Sequence, residues 1–275
     1  MTRTYIITGA ASGIGAKTAE LLREQGHTVV GVDLQGVEVS ADLSTPDGRA
    51  EAARLALEAT GGIVDAVIPS AGLAAPKAVT AAVNYFGMTE FLEALQPALA
   101  RSEAPRVALV SSMSSLQPLD PALVKALMAD DEPAALARAE ELAADPATGN
   151  LIYASSKRAI SRWVRRESTG PKWAGAGIPL NAVAPGIVRT PMTQDMLADP
   201  QYAAFMDMVV PMPLNGHQDA ESVARLLIWL TSVENTHCCG QTFYTDGGAD
   251  AVLRGEDVWG WNDEAINAKF AAFGV

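Results

Sequence analysis

The chain of 275 residues contains very little cysteine, with only Cys238 and Cys239. Because these two cysteines are adjacent, they cannot build the disulfide framework of a small secreted domain. His237 lies beside them, but a metal site would need more ligands than these three side chains supply. We therefore expect two reduced thiols, no bound metal and a cytoplasmic protein.

Positive charge is also scarce, because 20 Lys and Arg residues face 32 Asp and Glu residues and the formal net charge is −12. This balance disfavours binding to nucleic acid or to an anionic membrane surface. No apolar run approaches the ~18 residues of a membrane-spanning helix. The first apolar run, Tyr5-Ile6-Ile7, leads directly into a glycine loop, so we expect neither a signal peptide nor a membrane partner.

Short apolar runs alternate with helical patterns along most of the chain, which is typical of a parallel sheet covered on both faces. The length and the 49% of hydrophobic residues are sufficient for one large core. We therefore predict an α/β fold with one doubly wound parallel sheet, in a single domain of residues 1–275. The predicted strands cover residues 4–8, 28–33, 37–41, 64–70, 106–111, 178–184 and 241–245.

Residues 116–149 interrupt the alternation. Pro121 and Pro133 each begin a helical pattern, and proline is favoured in the first turn of a helix. We predict a helical insertion of two short helices before the helix that contains Tyr153. Residues 254–275, with Trp259 and Trp261, form a C-terminal extension to which the sequence assigns no role.

Gly9, Gly13 and Gly15 lie between the first strand and the following helix. Small residues there let a pyrophosphate approach the backbone, and the helix N-terminus offers free N–H groups to its negative charge. The spacing differs from the G-x-G-x-x-G pattern, and a glycine run alone is as typical of a turn without a ligand. The glycines therefore predict a phosphate site only in combination with other signals.

Asp33 is such a signal, because it ends the second strand 20 residues after Gly13. That offset matches the acid that binds the adenosine ribose hydroxyls in dinucleotide-binding folds. Its carboxylate would repel the additional phosphate of NADP, and the neighbours Ser12 and Leu34 carry no positive charge to bind it. The sequence therefore predicts NAD as the cofactor.

Tyr153 and Lys157 are four residues apart in a helical pattern, so they share one helix face. A free phenol has a pKa of about 10 and is a poor base at neutral pH. A neighbouring ammonium and the positive ring of an oxidised nicotinamide would lower this pKa. Taken alone, a packed tyrosine and a surface lysine are the simpler interpretation. With the glycine loop, the pair predicts proton transfer coupled to hydride transfer.

Further motifs accompany this pair and the glycine loop. In chain order, the combination is Thr8-Gly9-xxx-Gly13-x-Gly15, Asp33, Asp42-Leu43, Ser70-Ala71-Gly72, Asn84, Ser112, Tyr153-xxx-Lys157, Pro185-Gly186 and Asp246-Gly247-Gly248. From about Thr4 to Asp250 the sequence resembles the short-chain dehydrogenase/reductase family of the one-domain type. The resemblance implies a Rossmann-type fold and an oxidoreductase that transfers hydride between NAD and a secondary alcohol or ketone.

The resemblance also implies a role for individual residues. Tyr153 would be the acid/base, and Lys157 would lower its pKa and bind the nicotinamide ribose. Ser112 would hydrogen-bond the substrate oxygen, and Asn84 would hold a water that links Lys157 to solvent. The implied cofactor-binding residues are Thr8, Gly9, Ser12, Gly13, Ile14, Gly15, Asp33, Asp42, Leu43, Ser70, Ala71, Gly72, Tyr153, Lys157, Pro185, Gly186, Val188 and Thr190.

The sequence departs from the family pattern at two places. Ser70 stands where the family has an asparagine, so the hydrogen bonds of that asparagine must be made differently. The catalytic serine usually lies closer to the tyrosine, whereas 41 residues separate Ser112 from Tyr153 because of the insertion. We prefer Ser112 because it follows the strand directly, with Ser111, Ser114 and Ser115 as alternatives.

The insertion and the residues around Asp33 and Asn84 are similar to the bacterial 3α-hydroxysteroid dehydrogenase/carbonyl reductase branch of the family. Methionines are frequent after Thr190, in the segment that covers the active site in this family. Methionine adapts to irregular apolar shapes, which favours an apolar cyclic or steroid-like substrate. For any single methionine, packing within the covering segment is the simpler interpretation. The predicted substrate contacts are Ser112, Tyr153, Met192 and Met196.

Two other functions remain open. A 3-oxoacyl thioester reductase would fit the family, although such enzymes usually prefer NADP and Asp33 disfavours it. A non-catalytic NAD-binding regulator would not need the four residues Asn84, Ser112, Tyr153 and Lys157. From the resemblance we also expect a homo-oligomer, with a dimer favoured.

Overall fold

The computed structural model describes residues 2–258, and a parallel β-sheet lies at its centre. Residues 259–275 of the predicted C-terminal extension, with Trp259 and Trp261, lie outside the described residues. The strands are β1 (Thr4–Thr8), β2 (Thr28–Asp33), β3 (Val39–Ser40), β4 (Ala66–Pro69), β5 (Arg106–Val110), β6 (Leu180–Pro185), β7 (Val188–Arg189), β8 (Gln218–Asp219) and β9 (Thr242–Thr245).

Helices occupy most of the chain between these strands. They are α1 (Gly13–Glu24), α2 (Pro46–Ala59), α3 (Ala78–Ala81), α4 (Gly87–Leu99), α5 (Pro121–Met128), α6 (Glu132–Ala143), α7 (Leu151–Glu167), α8 (Pro191–Ala198), α9 (Pro200–Val209), α10 (Ala220–Thr231) and α11 (Ala249–Arg254). A π-helical turn (Ala82–Phe86) joins α3 to α4, and short 3₁₀ turns cover Met113–Leu116 and Ala174–Ala176.

The main sheet has the strand order β3-β2-β1-β4-β5-β6-β9, and all of its neighbouring strands are parallel. Consecutive side chains of β1 enter opposite layers of the core: Ile6 packs with α2, α4 and α7, whereas Tyr5 and Ile7 pack with α1 and α10. Strands β4, β5 and β6 are buried at every residue, because helices cover both faces. The prediction of a doubly wound parallel sheet is confirmed.

The strand order reverses between β1 and β4. From β1 the chain adds β2 and then β3 on one side, and from β4 it adds β5, β6 and β9 on the other. In such sheets the loops after the two central strands separate and leave a crevice at the carboxyl edge. The glycine loop follows β1, and Ser70-Ala71-Gly72 follows β4. The topology therefore places two of the predicted motifs on either side of this crevice.

The segment 116–149 folds as the two predicted helices, α5 and α6. Asp120 caps α5 by accepting a hydrogen bond from Leu123 N at 2.7 Å, and Asp131 caps α6 by accepting one from Ala134 N at 3.1 Å. Pro121 and Pro133 occupy the first turns. Each helix thus begins with the N-cap and proline chemistry that the sequence indicates.

A buried arginine ties this segment to the rest of the fold. Arg49 of α2 is 1% exposed, and its guanidinium donates to both carboxylate oxygens of Glu132, at 3.0 and 2.5 Å. Its Nε donates to Glu90 of α4 at 2.7 Å. A buried guanidinium is destabilising unless its charge is paired, so α6 supplies a carboxylate that Arg49 needs.

None of the helices within residues 2–258 is both long and apolar enough to cross a bilayer. Across the same residues, no three His, Cys, Asp or Glu side chains are grouped so that they could hold a metal ion. Cys238 and Cys239 form no disulfide.

We predict that Glu132→Ala lowers the free energy of unfolding by about 2 kcal/mol, because Arg49 keeps only Glu90 as a charged partner. Urea unfolding measures this loss. Glu51→Ala, also next to an arginine but in an exposed pair on α2, should leave the midpoint unchanged. Equal effects of the two substitutions would contradict the importance of the buried pair.

Candidate active site

A cleft of about 520 Å³ lies at the carboxyl edge of the sheet and collects most of the predicted site residues. Its walls come from the loops after β1, β2, β4, β5 and β6 and from α7. The predicted residues that line it are Gly9, Ser12, Gly13, Ile14, Asp33, Asp42, Leu43, Ser70, Ala71, Gly72, Ser112, Tyr153, Lys157, Pro185, Gly186, Val188, Thr190 and Met192.

The loops after β1 and β4 contact each other so closely that only glycine fits at Gly9. A Cβ there would lie 2.7 Å from Ala71 N, and its φ of 69° is in the left-handed region. A Cβ at Gly15 would lie 2.2 Å from the carbonyl oxygen of Gly9. Gly15 therefore does not line the cleft, but its lack of a side chain allows the loop to fold against the Gly9 backbone.

Thr8 also acts from behind the cleft. Its buried hydroxyl accepts hydrogen bonds from Ser70 N at 3.1 Å and from Ala71 N at 3.0 Å. The bonds that join the β1 and β4 loops thus come from the Thr8 side chain and the β4 loop backbone. They tie the two loops together at the position where the family's asparagine is absent.

The outer half of the cleft offers groups suited to a dinucleotide. At the N-terminus of α1, Ser12 is the N-cap residue, and its side chain does not cap the helix. The Asp33 carboxylate lies nearby, where its oxygens accept from Ala11 N at 3.0 Å and from Leu34 N at 2.7 Å. These bonds orient the carboxylate at the end of β2 and leave acceptor capacity for ribose hydroxyls.

The inner half of the cleft is built around Lys157. This residue is 3% exposed, and its ammonium donates to the carbonyl oxygen of Val110 at 3.0 Å. Its Nζ lies 5.7 Å from the centre of the Tyr153 ring. Burial lowers the pKa of Lys157 to about 7, because the charged form loses its hydration.

Two opposing effects act on the pKa of Tyr153. Burial raises it above the usual value, and an interaction with Ser112 lowers it in part. The lowering expected from Lys157 and from the positive ring of an oxidised nicotinamide stays a prediction. The tyrosine is held as a neutral phenol, which is the proton-donating form.

The four candidate serines differ in their hydrogen-bond partners and in whether they line the cleft. Ser111 bonds Ser161 Oγ at 2.7 Å and the carbonyl oxygen of Lys157 at 3.1 Å, and Ser115 bonds the Tyr244 hydroxyl at 3.0 Å. Ser114 does not line the cleft, and its backbone N–H donates to Ser112 Oγ at 3.1 Å. Ser112 is the candidate that both lines the cleft and acts on Tyr153, because it lowers the pKa of that phenol.

Asn84 lies one layer behind the cleft, in the π-helical turn. Its amide nitrogen donates to the carbonyl oxygen of Leu73 at 2.9 Å, and its amide oxygen accepts from Leu73 N at 2.8 Å. A Cβ at Gly72 would lie 3.2 Å from Asn84 Oδ1 and 3.5 Å from Lys157 Nζ. The glycine thus leaves a space that both polar groups border.

The π-helical turn itself was not predicted, because the sequence indicates one continuous amphipathic helix there. Sequence periodicity also missed the apolar wall of the cleft formed by Leu73, Val79 and Val83. Val79 and Val83 are four residues apart, which is the spacing of one helix face, but they lie five and one residues before Asn84 and so have no helical spacing to it. Met192 lines the cleft opposite, whereas Met196 is not among the lining residues.

Comparisons with known proteins agree with this geometry. The family model described as enoyl-(acyl carrier protein) reductase matches residues 9–250. The 3-alpha-hydroxysteroid dehydrogenase/carbonyl reductase of Comamonas testosteroni is 37% identical over 255 residues, covering 90% of this chain and 97% of the relative. The cis-4-hydroxycyclohexanecarboxylate dehydrogenase of Sinomonas cyclohexanicum is 27% identical and covers 91% of this chain and 97% of the relative.

A solved structure is similar as well. The crystal structure of the 3-alpha-hydroxysteroid dehydrogenase from Pseudomonas sp. B-0831 complexed with NADH has a TM-score of 0.82 and 39% identity. The match covers 92% of this chain and 99% of that one. Together with the cleft described above, these matches show that the chain belongs to the short-chain dehydrogenase/reductase family and is an NAD(P)-dependent oxidoreductase.

Proposed function

We propose that the chain uses NAD to interconvert a secondary alcohol and a ketone on an apolar cyclic or steroid-like molecule. The observation that carries this proposal is the convergence of Ser112, Tyr153 and Lys157 at one end of a cleft with Asp33 at the other. The relative and the solved structure that are named as hydroxysteroid dehydrogenases support the substrate class.

Each polar group of the inner cleft has a distinct role in this proposal. A nicotinamide held in this cleft would supply or accept the hydride. Tyr153 donates its phenolic proton to the ketone oxygen during reduction and takes the alcohol proton during oxidation. Ser112 hydrogen-bonds the same substrate oxygen and stabilises the charge that develops there.

Lys157 and Asn84 have indirect roles, because they act on Tyr153 and on proton exchange with solvent. Lys157 supplies a positive charge that favours the phenolate form of Tyr153 during oxidation. Because its own pKa is about 7, the lysine can gain or lose a proton near neutral pH. We propose that a water near Asn84 would carry protons between Lys157 and solvent, because Asn84 Oδ1 and Lys157 Nζ both lie beside Gly72.

Apolar side chains at the open end of the cleft favour an apolar substrate. Leu73 and Val79 are 36% and 38% exposed, and Met192 on the other wall is 45% exposed. Covering such surface with an apolar ring contributes about 25 cal/mol per Å². Met196 remains a candidate contact only if α8 moves toward the cleft.

The preference for NAD over NADP rests on Asp33. Its carboxylate is placed for ribose hydroxyls and would repel a 2′-phosphate. Leu34 beside it is 67% exposed and offers no positive charge. A homo-oligomer, with a dimer favoured, and a cytoplasmic location stay predictions.

The substrate class is tested by a panel assayed with NAD and NADP side by side. The panel contains cyclohexanol, cis-4-hydroxycyclohexanecarboxylate, a 3α-hydroxysteroid, and 3-oxoacyl and enoyl thioesters. We expect NAD reduction with the cyclic alcohols, and a loss of rate of at least about 10²-fold in Tyr153→Phe with cofactor binding unchanged.

Other results of this panel would point elsewhere. Turnover of a thioester alone would favour an acyl thioester reductase. Tight NADH binding without turnover of any compound would favour a regulator. Undiminished alcohol oxidation by Tyr153→Phe would exclude the proposed acid/base.

The buried lysine predicts a specific pH dependence of stability. Between pH 7 and 10.5 the unfolded chain binds one proton more than the folded chain, so the free energy of unfolding should rise with pH. The rise is at most about 1.4 kcal/mol per pH unit. Urea unfolding at pH 6.5, 8 and 9.5 measures it.

Lys157→Met should abolish this rise, whereas Lys125→Met on the exposed face of α5 should retain it. The same rise in Lys157→Met as in the wild type would show that the lysine is not buried as a neutral group.

Cofactor choice is tested at the end of β2. Asp33→Ser with Leu34→Arg removes the carboxylate and adds a cation, so preference should change from NAD to NADP. Loss of a charged hydrogen bond is worth about 1.5–3 kcal/mol, which predicts a fall of about 10- to 100-fold in kcat/KM for NAD. Leu34→Arg alone is the control and should keep the NAD preference. An unchanged ratio in the double variant would refute the role of Asp33.

A further inference from the structure

The π-helical turn Ala82–Phe86 places two consecutive side chains in very different surroundings. A π turn inserts one residue into an α-helix and is frequent at functional sites. Asn84 faces the cleft loop and α7, where its amide nitrogen also donates to Ser156 Oγ at 3.0 Å. Tyr85 faces the segment 116–149. The turn is therefore held from two sides, and only one of them belongs to the cleft.

The second side is held by a buried phenol. Tyr85 is fully buried, and its hydroxyl donates to Asp130 Oδ1 at 3.1 Å. Its ring packs edge-on against Phe86, with 5.1 Å between the ring centres. Burial and the neighbouring carboxylate raise the pKa of Tyr85, so the phenol keeps its proton and remains a donor.

Asp130 has an unusual backbone conformation between α5 and α6. Its φ of 56° lies in the left-handed region, which aspartate tolerates better than most residues other than glycine. From there its carboxylate reaches Tyr85 and also pairs with Arg166 of α7 at 3.5 Å. Arg166 donates in addition to the carbonyl oxygen of Met128 at 2.5 Å.

The two contacts of Asp130 differ in strength. The Arg166 pair is exposed on both sides and contributes little. The Tyr85 hydroxyl is buried, so loss of its acceptor leaves a desolvated donor without a partner, which is costly. The hydrogen bond to Tyr85 is thus the contact through which Asp130 acts on the π turn.

We infer that Asp130 is a positioning residue for proton transfer: through Tyr85 it holds the π turn in the conformation that presents Asn84 to Lys157 and α7. This inference rests on the proposed role of Asn84 and deepens it. A second contact of the same segment supports it, because Asp120 N donates to Ser155 Oγ of α7 at 2.9 Å. Ser155 lies between Tyr153 and Lys157 in the chain, so the segment 116–149 contacts both elements that carry the relay.

Two variants remove the hydrogen bond from opposite ends. Tyr85→Phe removes the donor and keeps the ring, and Asp130→Gly removes the acceptor and keeps the left-handed backbone. The matched control is Asp131→Ala, at the next residue, which removes the α6 cap and does not touch Tyr85. Steady-state oxidation is measured with NAD and the most active cyclic alcohol of the panel, together with NADH binding and urea unfolding.

Tyr85→Phe and Asp130→Gly should each lower kcat by about 3- to 10-fold, the change expected for one lost hydrogen bond. NADH affinity should not change, and the rise of the oxidation rate with pH should move to higher pH. The double variant should lose no more than the more affected single variant, because both changes break the same bond. Asp131→Ala should lower the unfolding midpoint and leave kcat unchanged.

Asn84→Ala separates this inference from the proposed function. If Asn84→Ala lowers kcat while Tyr85→Phe and Asp130→Gly retain the wild-type kcat and pH profile, Asp130 has no positioning role and the proposed function stands. If Asn84→Ala also behaves as the wild type, the proposed relay itself is wrong. A kcat that falls in Asp131→Ala as much as in Asp130→Gly would show a general structural effect and overturn the inference.

Discussion

The inner half of the cleft depends on one constraint, which is the burial of the Lys157 ammonium. At 3% exposure the charge has almost no water around it, so the surrounding backbone must replace hydration. The carbonyl oxygen of Val110 accepts a hydrogen bond from Lys157 Nζ, and Gly72 has no side chain to crowd that group. The Ser111 hydroxyl donates a hydrogen bond to the backbone carbonyl oxygen of Lys157. The pKa of Lys157 therefore falls to about 7, because the fold replaces its hydration incompletely.

The outer half of the cleft follows from the sheet topology. Strand order reverses between β1 and β4, and the two loops at that point are joined through the Thr8 hydroxyl. The contact is so close that Gly9 admits no Cβ. The loop after β1 leads to the N-terminus of α1, and Asp33 at the end of β2 lies beside that loop, where its carboxylate accepts from Ala11 N. In the proposed function, a dinucleotide would extend from a region of backbone donors to a region of ionisable side chains.

The segment 116–149 connects these functional parts to the body of the protein. Glu132 neutralises the charge of the buried Arg49, and this ion pair stabilises the fold. Asp130 contacts Tyr85, which is next to Asn84 in the chain, and the Asp120 backbone contacts Ser155, which lies between Tyr153 and Lys157. The segment was recognisable from its prolines as two helices, but its partners are 35 to 83 residues distant in sequence. No local pattern carries that information.

The sequence by itself determined the alternation of strands and helices, the doubly wound sheet and most residues of the cleft. These features depend on local chemistry: glycine where the backbone is crowded, proline and aspartate where helices begin, apolar runs where both faces of a strand are covered. Only the tertiary structure decided which serine meets Tyr153, that Asn84 lies in a π turn, and that Leu73 and Val79 form the apolar wall. Burial and distant contacts set these properties, and both arise only when elements far apart in the chain pack together.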